Sequence, residues 1–208
     1  MNMNNNRTSK IKICGIKSIQ DLEAINKYKP DYIGLIFADS KRRVTPEQAL
    51  NIKNHLVDNI STVGVFVNED VDKVAEIALS TDLHLIQLHG DEDALYIQKL
   101  KALTNKKIIK AVRVKDSLQI LEADMLPCDF LLLDTFSQNS YGGVGQTFDY
   151  SLIPNMKHPY FLAGGLNIRN IDNAISLNPF ALDINSGVEV NGSKNYHKIK
   201  EIILRCRN

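Results

Sequence analysis

A single (βα)8 TIM barrel, an α/β fold with eight parallel strands, is what this sequence predicts, and three observations predict it. Eight short runs rich in Ile, Val, Leu and Phe alternate with amphipathic segments to the C-terminus. Several of those segments open on helix-start residues, and no Pro/Gly/Ser linker or shift of composition divides the series. Parallel strands need a crossover between them, so this alternation reads as βα units. A doubly wound open sheet is the competing arrangement. At 208 residues and 44% hydrophobic, the chain can bury one sizeable core and sits at the small end of the range for a closed barrel.

Residues 1–9 read as a disordered tail, because the Asn-rich start cannot bury apolar surface; 10–208 form the barrel. The first strand run, 11–16, ends at Gly15 and is followed by a helix over 19–28 with Ser18 as its cap. After the run 32–38, Thr45, Pro46 and Gln48 give a capping box with proline at the first helical position, opening a helix over 46–57. Runs 62–67, 83–88 and 107–114 precede helices over 70–80, 92–103 and 116–124. The run 130–134 has only a very short helix after it, over 151–154. Run 159–163 leads through the cap Asn167 to a helix over 168–177, and run 180–184 to the last helix, over 196–206.

Charge and composition narrow the function. With 25 Lys plus Arg against 24 Asp plus Glu, no net field recruits nucleic acid or a membrane, and the basic cluster Lys41, Arg42, Arg43 is short. No apolar run approaches the ~20 residues of a membrane span, and the N-terminus lacks a signal-peptide core, so the cytoplasm is the expected address. Cys14, Cys128 and Cys206 are odd in number and far apart, which suggests neither a disulfide framework nor a zinc site. The sequence is compatible with a monomer or a homodimer.

In this fold the C-terminal ends of the strands face the catalytic mouth. Those ends carry Cys14-Gly15, Phe37 to Arg43, Gln87-Leu88-His89-Gly90, Asp134-Thr135, Gly164-Gly165 and Asn185-Ser186-Gly187. Gly164, Gly165, Ser186 and Gly187 lie on adjacent strands, where bare backbone N–H groups can close on a phosphate. The stretch from Tyr141 to Asp149 is a Gly-rich loop able to fold over a ligand, with Gly143 and Gly145 as candidate phosphate contacts. It matches neither a Walker A loop nor a dinucleotide fingerprint.

Taken together, KICG, SKRR, QLHG, LLDT, GGVGQTFDY, AGGLN and DINSGVE resemble the phosphoribosylanthranilate isomerase family of tryptophan biosynthesis, in order and spacing, from Lys12 to Lys194. The resemblance implies a barrel without cofactor or metal that carries out an Amadori rearrangement of a phosphorylated aminosugar. It implies Asp134 as general acid and Cys14 as general base, with Arg42 on the anthranilate carboxylate. Gln87 and His89 are the further candidates for substrate binding. Chemically, Asp134 ends an apolar strand, where desolvation favours the protonated carboxyl. Cys14 would act as a thiolate favoured by a cationic neighbour or the next helix N-terminus.

Each residue also has a plainer reading: a packed thiol for Cys14, a turn former for Asp134, a solvated loop for Ser40 to Arg43 and a surface acid for Glu189. Tyr150, Asn185 and Asn195 depart from the family pattern, which has Trp, Ser and Asp at those places. The alternative functions are another phosphosugar barrel enzyme and a non-catalytic phosphosugar-binding module. Strand-end lysines are few apart from Lys110, and paired His and Asp metal ligands are absent, which disfavours the first. Binding alone requires neither Cys14 nor Asp134.

Overall fold

The computed structural model describes residues 9–135 and 147–208. Strands β1 (Lys10–Cys14), β2 (Tyr32–Ile36), β3 (Ser61–Phe66), β4 (Leu85–Leu88), β5 (Lys107–Val114), β6 (Phe130–Thr135), β7 (Tyr160–Leu162) and β8 (Ala181–Ile184) are parallel and close in sequence order. The seam is β1 against β8, with Lys12 opposite Asp183. Closure eliminates the open doubly wound sheet. Helices α1 (Leu22–Tyr28), α2 (Pro46–Asn54), α3 (Val71–Ser80), α4 (Ala94–Thr104), α5 (Ser117–Ala123), α6 (Ile171–Ser176) and α7 (Tyr196–Arg207) lie between and after the strands. The short sixth helix is one 3₁₀ turn, Tyr150–Leu152. A two-stranded hairpin, β9 (Glu189–Val190) with β10 (Ser193–Lys194), follows β8.

The local signals are used as chemistry demands. Thr45 Oγ1 accepts from the Gln48 N–H while Gln48 Oε1 accepts from the Thr45 N–H, so the capping box is reciprocal. At Ser18 the carboxylate of Asp21 accepts from the N–H groups of Lys17 and Ser18. Three helix starts differ from the sequence expectation by more than one residue: the helix expected from 19 opens with a 3₁₀ turn, Ile19–Asp21, before α1, α4 begins at Ala94, not 92, and α6 begins at Ile171, not 168. Asn167 spends its side chain on the Arg169 N–H and the Gly165 carbonyl, which holds a turn ahead of the helix. Of the tail, residues 1–8 lie outside the described residues.

Alternation along each strand sorts side chains to two cores. Ile13, Ile33, Ile86, Leu131, Leu133 and Leu182 pack outward under the helices. The other phase fills the lumen, where Tyr32, Val63, Leu85, Ile109, Phe130 and Phe161 form a separate cluster. Phe161 is its centre, with ring centroids 5.6 Å from Tyr32, 5.6 Å from Phe130 and 5.5 Å from Phe180. This aromatic floor plugs the N-terminal half. Towards the C-terminal ends the same inward phase turns polar, at Lys12, Cys14, Gln87, Asp134 and Asp183, all buried. The floor therefore keeps bulk water from entering behind the reactive groups. Among the described residues no helix is long and apolar enough to cross a membrane.

Truncating a fully buried aromatic leaves a cavity that its neighbours fill only in part. Phe161→Ala is expected to cost about 3–5 kcal/mol in urea denaturation. Leu95→Ala, at a side chain 74% exposed, should change stability by less than about 0.5 kcal/mol.

Candidate active site

Strand ends deliver Cys14 from β1, Gln87 and His89 from β4 and its following turn, and Asp134 from β6 to one cavity of about 350 Å³ at the C-terminal mouth. Gly164, Gly165 and Ser186 line the same cavity, as does Arg42. Gly187 lines an adjoining cavity together with Gly165, Ser186 and Lys198. The sequence candidates among the described residues thus converge on one rim. Gly143 and Gly145 lie outside the described residues.

Cys14 owes its position to a gap. Gly34 sits opposite it on β2, and a Cβ there would lie 2.5 Å from Cys14 Sγ, so any larger residue would displace the sulfur. The thiol is 5% exposed. Burial pushes its pKa above the ordinary 9.0, and the pull of Lys12 and Lys194 in the other direction does not cancel that. The cationic neighbours expected from the sequence are present, yet burial outweighs them.

Asp134 is equally buried. Its Oδ1 accepts from the Thr135 N–H at 2.8 Å. Its Oδ2 lies 3.2 Å from His89 Nε2, at an angle outside hydrogen-bond geometry. Gln87 Nε2 and His89 Nδ1 are 2.8 Å apart. With the amide donating, Nδ1 accepts and the imidazole proton sits on Nε2, facing Asp134. The turn carrying His89 is braced from behind: Glu92 accepts from the N–H groups of Asn68 and Gly90 and from Lys110 Nζ at 2.8 Å. Lys110 serves this brace.

Arg42 is held in a fork. Its Nε and Nη2 donate to the two oxygens of Glu189 at 2.7 and 2.6 Å, and Glu189 also accepts from Lys194 at 2.9 Å. Burial works against the Glu189 carboxylate, but Arg42 and Lys194 together hold its pKa down at about 2. It is no surface acid: its side chain is 7% exposed. Lys194 donates as well to the carbonyl and side-chain oxygens of Asn185, 3.0 Å each. The departure at Asn185 therefore anchors the hairpin, and Asn195 caps α7 by accepting from the Lys198 N–H. Tyr150 stacks edge-on against Phe148 at 5.3 Å.

The glycine loops are shaped to present backbone. Gly164 has φ +88°, and a Cβ on it would run into the Thr135 hydroxyl. The carbonyl of Gly165 accepts from the side-chain amides of Asn167 and Asn170. Because the peptide is trans, the Leu166 N–H points the other way. Three participants escaped the sequence reading: Lys12, Asp183 and Lys194. Lys12 and Asp183 share the inward phase of Cys14 and of the DINSGVE strand, a period-2 signal that could have found them; Lys194 is brought in by a hairpin with no such period.

A closed parallel barrel whose C-terminal mouth gathers a buried thiol, a buried carboxyl, an arginine fork and glycine loops on β7 and β8 has the layout of a barrel-enzyme site. The chain belongs to the N-(5′-phosphoribosyl)anthranilate isomerase family, whose model matches residues 11–205. It is 43% identical over 210 residues to the N-(5′-phosphoribosyl)anthranilate isomerase of Lachnoclostridium phytofermentans, covering 93% of this chain and 95% of that one. The phosphoribosyl anthranilate isomerase structure from Thermus thermophilus superposes with a TM-score of 0.85 at 27% identity, covering 95% and 98% of the two chains. Another isomerase of this family, solved with reduced 1-(o-carboxyphenylamino)-1-deoxyribulose 5-phosphate, superposes with a TM-score of 0.78 at 32% identity, covering 96% and 98%. No cluster of three metal-ligating side chains occurs among the described residues.

A carboxylate with a lowered folded pKa stabilises the protein above its unfolded value and loses that contribution as pH falls through the folded one. For Glu189 the window runs from the ordinary 4.5 down to about 2. Glu189→Gln should flatten the fall of melting temperature across that window relative to wild type; parallel curves would remove Glu189 from the acid response.

Proposed function

We propose that the protein isomerises N-(5′-phosphoribosyl)anthranilate to 1-(2-carboxyphenylamino)-1-deoxyribulose 5-phosphate in tryptophan biosynthesis. The observation that carries this reading is the placement of Cys14 and Asp134 on β1 and β6, both buried and both lining one cavity beside the glycine loops.

The rearrangement needs one acid and one base. Asp134 gives its proton to the ring oxygen of the furanose, the C1–O bond breaks, and the anilino nitrogen lone pair forms the iminium. The Asp134 carboxylate left behind accepts from the Thr135 N–H, and His89 Nε2 lies 3.2 Å from its other oxygen. Cys14 thiolate then takes the proton from sugar C2, and the electron pair moves to neutralise the iminium as an enolamine. Tautomerisation to the ketone completes the reaction, with no covalent bond to sulfur. The iminium cation adds its charge to that of Lys12 and Lys194 beside Cys14, which favours release of the thiol proton to solvent and leaves the thiolate to act as base. Arg42, held by Glu189 through one edge, offers its remaining N–H groups to the anthranilate carboxylate. The loops of β7 and β8 take the phosphate through backbone N–H groups. The substrate is a free small molecule, and the chemistry requires no cofactor.

Freshly generated phosphoribosylanthranilate, followed by the loss of its anthranilate fluorescence, tests the activity. Fast decay with wild type supports the assignment, and no decay with folded protein contradicts it. Cys14→Ser and Asp134→Asn should each lower kcat at least 10²-fold while the protein stays folded, the range expected for loss of a general acid or base. Arg42→Ala should raise KM more than it lowers kcat. Because the thiol pKa of the free protein is raised, kcat/KM should increase from neutral pH towards the ordinary thiol value of 9.0 as the thiolate fraction grows. A profile flat over that range would exclude thiolate as the base.

A further inference from the structure

We propose that Lys12 is a positioning residue for the isomerisation: its buried ammonium group, paired with Asp183 one layer below Cys14, supports formation of the Cys14 thiolate. The proposal rests on the reading of Cys14 as the base and adds to it the group that makes a buried thiol usable.

Lys12 precedes Cys14 by two residues on β1, so both side chains enter the lumen one layer apart. Lys12 has no exposed surface. A lysine in that state needs compensation, and Asp183 supplies it, with Oδ2 2.9 Å from Nζ. As a stability device the pair is poorly placed, because well-packed apolar residues of similar volume often serve as well or better. Its geometry is also unsealed. Asp183 Oδ1 is buried with no hydrogen-bond partner among the described residues, and Asp183 lines the catalytic cavity. The pair therefore sits at the boundary between aromatic floor and reactive mouth, with the sulfur in the layer above.

The charged groups around the sulfur come from every element packed on it. β1 brings Lys12, β8 brings Asp183, β10 brings Lys194, and the loop after β2 brings Arg42. β2 itself presents Gly34, which has no side chain. Lys194 and Arg42 are both committed to Glu189. Lys12 donates to Asp183, and the sulfur stands one layer above it on the same face of β1. Burial opposes the Lys12 charge, yet Asp183, joined by Cys14 whenever the sulfur is ionised, outweighs it and holds the ammonium form. On the thiol, Lys12 is the largest influence working against burial.

Removing Lys12 takes away more attraction than any accompanying protonation of Asp183 returns, so the thiol should become harder to ionise. Removing the Asp183 charge instead releases Lys12 to the sulfur and should make it easier. A merely structural role would move both variants the same way. The experiment is the rate of iodoacetamide alkylation at the Cys14 peptide, followed by mass spectrometry against pH, for wild type, Lys12→Met and Asp183→Asn, each checked for native circular dichroism. Lys12→Met is expected to raise the midpoint by about one pH unit, hence to slow alkylation about tenfold near neutrality. Asp183→Asn is expected to shift the midpoint downwards. The kcat profile of Lys12→Met should move to higher pH in step with its alkylation profile. If Lys12→Met does not fold, the apolar pair Lys12→Met with Asp183→Leu reads the same midpoint and should show it raised. An unmoved midpoint in the Lys12 variant, or shifts of the same sign in both single variants, overturns the proposal. Alkylation needs no substrate, so a wild type without isomerase activity would refute the function while leaving this test intact.

Discussion

Lys12 and Asp183 meet across the β1–β8 seam that closes the barrel, and they do so inside the lumen. Deleting one partner of such a pair costs about 3–5 kcal/mol, because the survivor stays buried and unmatched. The pairing consequently fixes register at the one junction where sequence neighbours do not help: a slip of one residue would send Lys12 outward and Ile13 inward. Everything nearer the mouth inherits that register. With Lys12 inward, Cys14 must also be inward, and with Asp183 inward, Asn185 and Ser186 emerge at the rim next to the β7 loop.

Below the pair the lumen is filled by aromatic rings; above it the site is built from charges that answer one another. Arg42, Glu189 and Lys194 form a chain with net positive charge at the mouth. In the proposed reaction the base and the acid arrive from β1 and β6, on different sides of the ring, with the sugar between them. That separation suits a reaction in which the proton donated at the ring oxygen and the proton removed at C2 belong to different atoms of one sugar. The buried surroundings of Cys14 raise its proton affinity, which makes the thiolate a stronger base at the expense of its population. The iminium offsets that cost at the moment of transfer.

How much of this was legible in the sequence follows from period and locality. The eight strands were readable because both faces of a parallel barrel are buried, which makes each strand a continuous apolar run such as FLLL before Asp134. The Thr45 box was readable because capping acts within four residues. Helix α6 was misplaced by three residues because Asn167 looks like a cap but serves the Gly165 turn. The strand-end residues that line the mouth are legible by position. The Lys12–Asp183 and Arg42–Glu189 pairs were not, since each joins residues more than 140 apart and only closure of the barrel brings them together. Glu189 in particular reads as a surface acid until the β9–β10 hairpin folds it under Arg42.

The account stands on the transfer of the C2 proton to Cys14. The most direct measurement is single-turnover decay of phosphoribosylanthranilate carrying deuterium at sugar C2, compared with the protonated substrate, for wild type and Cys14→Ala. The account predicts that deuterium slows the wild-type decay and that the variant, although folded and able to bind, shows no decay above the uncatalysed rate. A Cys14→Ala protein that still converts substrate at the wild-type rate would contradict it.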